Sequence, residues 1–129
     1  MDDDVFHDSQ YLAKHQYRDA GHLSARQRLH ERFCSNSQPW YRWVFGHLVH
    51  FQRANVLEVG AGFGQLWHEN LERIPSGWRV ALTDLSPGML CDARTRLAPC
   101  GFRPELLAAD VNALPFEDEQ FDFVLANHM

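Results

Sequence analysis

The chain has 129 residues, 45% of them hydrophobic and 22% charged, with a formal net charge of −5. That length predicts one domain, and that apolar content excludes a disordered chain. The acidic balance argues against a nucleic-acid backbone as partner, and no run approaches the ~18 continuous apolar residues of a membrane span.

The N-terminal MDDDVFHD is acidic and lacks an apolar core, so it does not read as a secretion signal. Cys34, Cys91 and Cys100 form no C-x-x-C pair. An odd count without a secretion signal reads as reduced thiols in the cytoplasm. Residues 1–9 read as a frayed tail. Ser24 with Gln27 three residues later fits a capping box and opens a helix through about Phe33. CSNSQP breaks it. Ser37 is placed to cap a second helix, with Pro39 in its first turn. Trp40, Trp43, Val44, Leu48 and Phe51 then form one apolar stripe at helical spacing, which predicts core tryptophans.

After Gln52 the period changes. NVLEVG is a short valine-rich run ending at glycine, the pattern of a buried strand. QLWHENLERI returns to helical spacing and stops at Pro75. RVALTD predicts a second strand. The next helix has Ser86 as N-cap, Pro87 at its first position and Gly101 just past its end; Met89, Leu90, Ala93 and Leu97 make its core face. ELLAAD predicts a third strand and FDFVLA a fourth, entered through the acidic turn FEDEQ. Strands alternating with helices indicate an α/β fold: a Rossmann-like parallel sheet with right-handed crossovers and helices on both faces. With strand 1 central, the expected order is 3-2-1-4. Strands 1 and 4 then flank a topological switch point, where such sheets bind ligands. Residues 1–52 form an N-terminal helical cap segment and 53–129 the α/β core.

Gly60, Gly62 and Gly64 stand where strand 1 becomes a helix. Glycine there permits positive φ and close approach of a ligand to backbone. Two ligand classes compete. A dinucleotide fingerprint is G-x-G-x-x-G, with pyrophosphate on the helix N-terminus. This spacing is G-x-G-x-G, one residue short, and Glu58 adds a negative charge that a pyrophosphate would oppose. A ligand carrying an ammonium and a sulfonium would not be opposed. A nicotinamide-dependent oxidoreductase is therefore the weaker alternative.

The stretch EVGAGFG resembles the first motif of class I S-adenosylmethionine-dependent methyltransferases. TDLSPGML is similar to the second motif, AADVNALPF to the third and FDFVLANHM to the fourth, in the family's order across residues 54–129. The broad small-molecule group often called type 11 is the nearest in flavour. QYRD and ARQRLHERF also look like the lead-in helices of some members. The resemblance implies S-adenosyl-L-methionine as cofactor. It implies that Gly60, Ala61, Gly62 and Gly64 approach the methionine portion and Glu58 helps anchor the amino group. Asp84, twenty residues past Gly64, would hold the ribose. Asp110 and Val111 would meet the adenine, Leu85 would pack beside it, and Asn127 would border the site at the end of strand 4. His128 is a candidate general base. Tyr11 and Tyr17 are candidates to close over the methionine end, and Phe63 is a candidate lining residue.

Family members continue past strand 4 with a fifth strand and an antiparallel hairpin. The chain therefore reads as the N-terminal part of a methyltransferase, with a small-molecule acceptor whose site is incomplete. A cofactor-binding module without turnover is the second reading. The outer edge of strand 4 is a surface on which a second copy could pair. His47 and His50 are three apart with no third ligand at matching spacing, so a solvated helix face is expected there rather than a metal. Cys91 and Cys100 flank one helix without a base nearby, so neither is expected to act as a nucleophile.

Overall fold

In a computed structural model of the chain, which describes residues 25, 28–29, 31–35 and 37–127, four apolar runs pair as parallel strands. They are β1 (Arg53–Val59), β2 (Gly77–Asp84), β3 (Glu105–Ala108) and β4 (Phe123–Ala126). Their order is β3-β2-β1-β4, as the alternation of strand and helix requires. Each strand stands in parallel register with its neighbour: Val56 with Val80, Ala81 with Glu105, and Val59 with Ala126. The two central strands are buried on both faces past their third residue, whereas β3 and β4 are partly exposed along their length. Continuous apolar sequence in the centre follows from that two-sided burial.

Among residues 37–127, three α-helices join the sheet: α1 (Trp40–Gly46), α2 (Gln65–His68) and α3 (Pro87–Leu97). All three bury residues against one face. Phe45 and Leu48, Leu66 and Trp67, and Ala93 and Leu97 meet Val56, Val80 and Leu82 there. Aromatic rings dominate this layer. Trp67 stacks on Phe102 at 5.7 Å and meets Phe45 edge-on at 5.9 Å. The opposite face, Leu57, Val59 and Ala81, is covered by Leu114, Phe116 and Phe121 of the segment between β3 and β4. Among the described residues, that segment carries a single 3-10 turn, Val111–Ala113, rather than an α-helix. Helices therefore cover one face in the described residues, not both.

α3 follows its sequence signals closely. The Ser86 hydroxyl accepts from the Met89 amide at 3.3 Å, Pro87 begins the helix, and Met89, Leu90, Ala93 and Leu97 are buried. Gly101 has φ 80° just beyond a closing 3-10 turn, Ala98–Cys100. The other two helices depart from expectation. α1 has Pro39, not Ser37, at its N-cap position, with no side-chain cap bond, and it stops at Gly46. Its buried residue is Phe45, with Tyr41 and Val44 packed beside it and Leu48 buried just past its end, so the true stripe is turned from the expected one. Trp40 and Trp43 are 42% and 44% exposed and Phe51 is 50% exposed, which corrects their assignment to the core. α2 ends after four residues, where the fully buried Asn70 takes over the Leu66 carbonyl. Asn70 Nδ2 donates to Leu66 O at 2.7 Å and to Tyr41 O at 3.2 Å, which ties α1 to α2. Asparagine disfavours a helix interior by this competition for backbone groups. The chain goes on as a 3-10 turn, Leu71–Arg73.

Residues 25, 28–29 and 31–33 are helical, in the region read as a first helix. The Ser24–Gln27 capping box, the tail, Tyr11, Tyr17 and His128 lie outside the described residues. Among the described residues no helix is long and apolar enough to cross a membrane. Cys34, Cys91 and Cys100 are exposed free thiols.

Candidate cofactor site at the strand ends

β1 delivers the chain into the glycine turn, and all three glycines adopt left-handed backbone: φ is 63° at Gly60, 58° at Gly62 and 77° at Gly64. Side-chain-bearing residues pay ~1–2 kcal/mol for that region, so the glycines are a requirement of the turn. Gly64 carries a second constraint. A Cβ there would stand 2.8 Å from Leu97 Cδ1, so the third glycine lets α2 start directly against α3. Helix packing is thus a reason of its own for glycine at this position.

Three amide groups of the turn are engaged within the fold. Ala61 N–H donates to Thr83 O at 2.9 Å and Gly64 N–H to Ala61 O at 3.2 Å. Gly62 N–H donates to Asp84 Oδ2 at 2.9 Å, while Ser86 N–H donates to Asp84 Oδ1 at 2.8 Å. Asp84, at the end of β2 and only 9% exposed, thus stitches the glycine turn to the start of α3. Burial raises its carboxyl above the ordinary range, and the two backbone hydrogen bonds pull it back. Each carboxylate oxygen has a further lone pair, so the group remains able to accept from a ligand.

Glu58 lies one rung before the turn, paired with Leu82 on one side and Leu125 on the other. It is 2% exposed, and its Oε2 accepts from Trp67 Nε1 at 2.7 Å. Burial lifts its carboxyl to about 8, with Asp84 adding to the rise and the indole bond opposing it. Tyr41 of α1 is pushed to about 12, first by burial and then by Glu58 and Glu69. At the first position of α2, Gln65 donates through Nε2 to Glu69 Oε1, while its Oε1 is buried without a hydrogen-bond partner.

The remaining expected residues fall at the same end of the sheet. Leu85 is half-buried after β2. Asp110 follows β3, where Ala109 N–H donates to Asp84 O at 3.0 Å; its Oδ1 caps Asn112 N–H at 2.9 Å. Val111 beside it is 45% exposed. Asn127 follows β4 and accepts from Trp40 Nε1 through Oδ1 at 3.2 Å. Phe63 is 4% exposed beneath the Arg96 guanidinium, 4.9 Å from its ring centroid, so it packs within the fold rather than standing out on the loop. Glu58, Gly60, Ala61, Gly62, Asp84, Leu85, Asp110, Val111 and Asn127 all stand at the C-terminal ends of the strands around the β1–β4 switch point. Four neighbours were not singled out as site residues from sequence: Trp67, bonded to Glu58; Trp40, bonded to Asn127; Tyr41, which feels the Glu58 charge; and Gln65. Only Gln65, next to the glycines, had a local signal.

Acceptors outnumber donors in this arrangement. A pyrophosphate needs free turn amides, and those of Ala61, Gly62 and Gly64 are already bound. Behind them lie a buried carboxyl and an unpartnered amide oxygen, which suit a cationic ligand group. The residues present therefore fit the amino end of S-adenosyl-L-methionine: Glu58 and Gln65 Oε1 would accept from the ammonium and Asp84 from the ribose. Among the described residues no group of three or more His, Cys, Asp or Glu side chains is placed to hold a metal.

Comparison with known proteins agrees with this geometry. Residues 56–129 match a family model described as a methyltransferase domain. A malonyl-[acyl-carrier protein] O-methyltransferase of Halorhodospira halophila is 40% identical over 79 residues, covering 61% of this chain and 25% of that protein. A ubiquinone/menaquinone biosynthesis C-methyltransferase of Laribacter hongkongensis is 36% identical over 69 residues, covering 54% and 28%. The chain thus spans about a quarter of the length of these curated relatives. Among solved structures, an S-adenosylmethionine-dependent methyltransferase from Clostridium acetobutylicum superposes with TM-score 0.57 at 18% identity, covering 81% of this chain and 43% of that one. One from Aquifex aeolicus superposes with TM-score 0.56 at 21% identity, covering 67% and 47%. The sheet order, the glycine turn and the family match agree, and the chain belongs to the S-adenosylmethionine-dependent methyltransferase family.

Proposed function

We propose that this chain binds S-adenosyl-L-methionine at the strand ends and serves methyl transfer to a small-molecule acceptor. The observation that carries the reading is the chemistry of the turn: the amides of Ala61, Gly62 and Gly64 are engaged within the fold, while the buried Glu58 carboxyl and the unpartnered Gln65 Oε1 flank it in the chain. When bound, the cofactor supplies an electrophilic methyl: an acceptor lone pair bonds to it as the carbon–sulfur bond breaks and that electron pair stays on sulfur. Gly60 and Gly62 let the backbone approach the methionine portion. Glu58 and Gln65 hold the ammonium, Asp84 accepts from the ribose hydroxyls, and Asp110, Val111 and Leu85 flank the adenine. Positioning and exclusion of water are the chain's contribution to rate, since the chemistry needs little covalent help. The relative named for ubiquinone/menaquinone biosynthesis supports a small acceptor, and a cytoplasmic setting is part of the same proposal.

Titration calorimetry tests this directly. S-adenosylhomocysteine should bind with a dissociation constant in the micromolar range; tight NAD binding without homocysteine-analogue binding would sink the proposal. A binding-only module is the second reading. It is favoured by the sheet face that carries no α-helix among the described residues, where Val124 is 60% exposed. Labelled methyl transfer to a small-molecule panel separates the two. The same exposed strand is where we place pairing with a second copy, which light scattering would detect as a dimer.

A further inference from the structure

The acceptor side of the crevice carries groups that the cofactor does not need. α1 places Trp40 and Trp43 with ring centroids 5.3 Å apart and planes 30° from parallel. It buries Phe45 instead, which leaves both indoles close to half exposed. Trp40 is held in place, because its Nε1 donates to Asn127 Oδ1. An indole N–H can only donate, so the bond settles which way the amide faces: Oδ1 toward Trp40 and Nδ2 away from it. That Nδ2 is buried and has no hydrogen-bond partner. A buried donor left unmatched costs ~1–3 kcal/mol, which an arriving oxygen would recover. Asn127 follows Ala126, whose partner is Val59, so the amide stands level with Gly60 across the switch point.

We propose that Trp40, Trp43 and Asn127 form the acceptor subsite, and that it takes a planar aromatic molecule carrying an oxygen on its ring. This rests on the methyltransferase reading and moves Asn127 from the cofactor's set to the acceptor's. The ring lies against the exposed indole pair, where flat partners gain from offset stacking. The oxygen accepts from Asn127 Nδ2, which gives the subsite one polar anchor beside an apolar shelf. A neutral amide serves a phenol and a phenolate alike.

The test uses the full chain saturated with S-adenosylhomocysteine and titrated with 2-naphthol, naphthalene and cyclohexanol. We expect 2-naphthol to bind about tenfold more tightly than naphthalene, the worth of one hydrogen bond, and cyclohexanol to bind more weakly than either. Asn127→Leu should remove the advantage of 2-naphthol, and Trp43→Ala should weaken both aromatic probes several-fold while homocysteine-analogue affinity is kept. Cyclohexanol binding as tightly as 2-naphthol in the wild type would overturn the inference without any variant having to fold. So would an Asn127→Leu protein that loses S-adenosylhomocysteine but keeps 2-naphthol. Homocysteine-analogue binding without 2-naphthol binding overturns the subsite alone, whereas absence of the former overturns the methyltransferase reading beneath it.

Discussion

The central and outer strands carry the same kind of polar residue into different surroundings. Glu58 on β1 and Asp84 after the burial of β2 are 2% and 9% exposed, and each is hydrogen-bonded into the fold. Asp110 after β3 caps its own turn in an exposed setting, and Asn127 after β4 is held by a single indole. The inner carboxylates are therefore parts of the architecture as well as candidates for the cofactor. The outer pair is attached more loosely, and replacing it should affect binding more than folding.

Gly64→Val breaks the inner half most severely. A β-branched residue at φ 77° meets both the left-handed penalty and Leu97 at 2.8 Å. We expect a loss of about 4 kcal/mol, enough to abolish a cooperative thermal transition in a domain of ordinary stability. The next effect belongs to Glu58. Its folded value of about 8 lies above the unfolded carboxylate value of 4.5, so the native state holds the proton more tightly between the two. Stability should fall as pH rises through that window, by up to ~1 kcal/mol per pH unit, and flatten above it. Glu58→Gln should remove that slope in denaturant titrations taken at successive pH values; an unchanged slope would show that other groups set it. On the functional reading, homocysteine-analogue binding near pH 7 should also release a proton, seen as a buffer-dependent calorimetric enthalpy.

The inner–outer contrast is sharpened by a matched pair. Asp84→Ala leaves the Gly62 and Ser86 amides without their acceptor, which should cost ~2 kcal/mol in stability and weaken homocysteine-analogue binding by about as much again. Asp110→Ala should cost under ~1 kcal/mol in stability, because its turn is exposed to water. Equal melting shifts in the two variants would erase the distinction. The smallest effect is expected at Val124→Lys, within about 0.5 kcal/mol, since that side chain is 60% exposed. A larger loss, or a concentration-dependent melting point in the wild type, would mean that this face is covered by a second copy.

The readable parts of the molecule were those with local causes. Three glycines at alternate positions demanded left-handed backbone, and all three have it. Ser86, Pro87 and Gly101 bounded a helix through capping chemistry that acts within a few residues, and their helix lies where they put it. Parallel order followed from the alternation of elements. Failures came where a distant contact decided the outcome. Asn70 closes α2 on the Leu66 carbonyl while its amide also reaches the carbonyl of Tyr41, 29 residues away in sequence, a contact no local pattern announces. Which stripe of α1 faces inward depended on Trp67 and Trp78 receiving Phe45, and no spacing within α1 carries that information. The site divided in the same way. Motif residues were visible, but the indole that holds Glu58 and the amide oxygen beside it emerge only from packing.

The bond between Trp67 Nε1 and Glu58 has a consequence in optics. An excited indole shifts electron density across its rings, so its emission responds to a charge placed at its nitrogen. Trp67 sits fully buried with that nitrogen on a carboxyl that titrates near neutrality. The protein therefore carries its own fluorophore at the innermost wall of the crevice, and the colour and yield of its light should track whether Glu58 holds a proton or faces a cation.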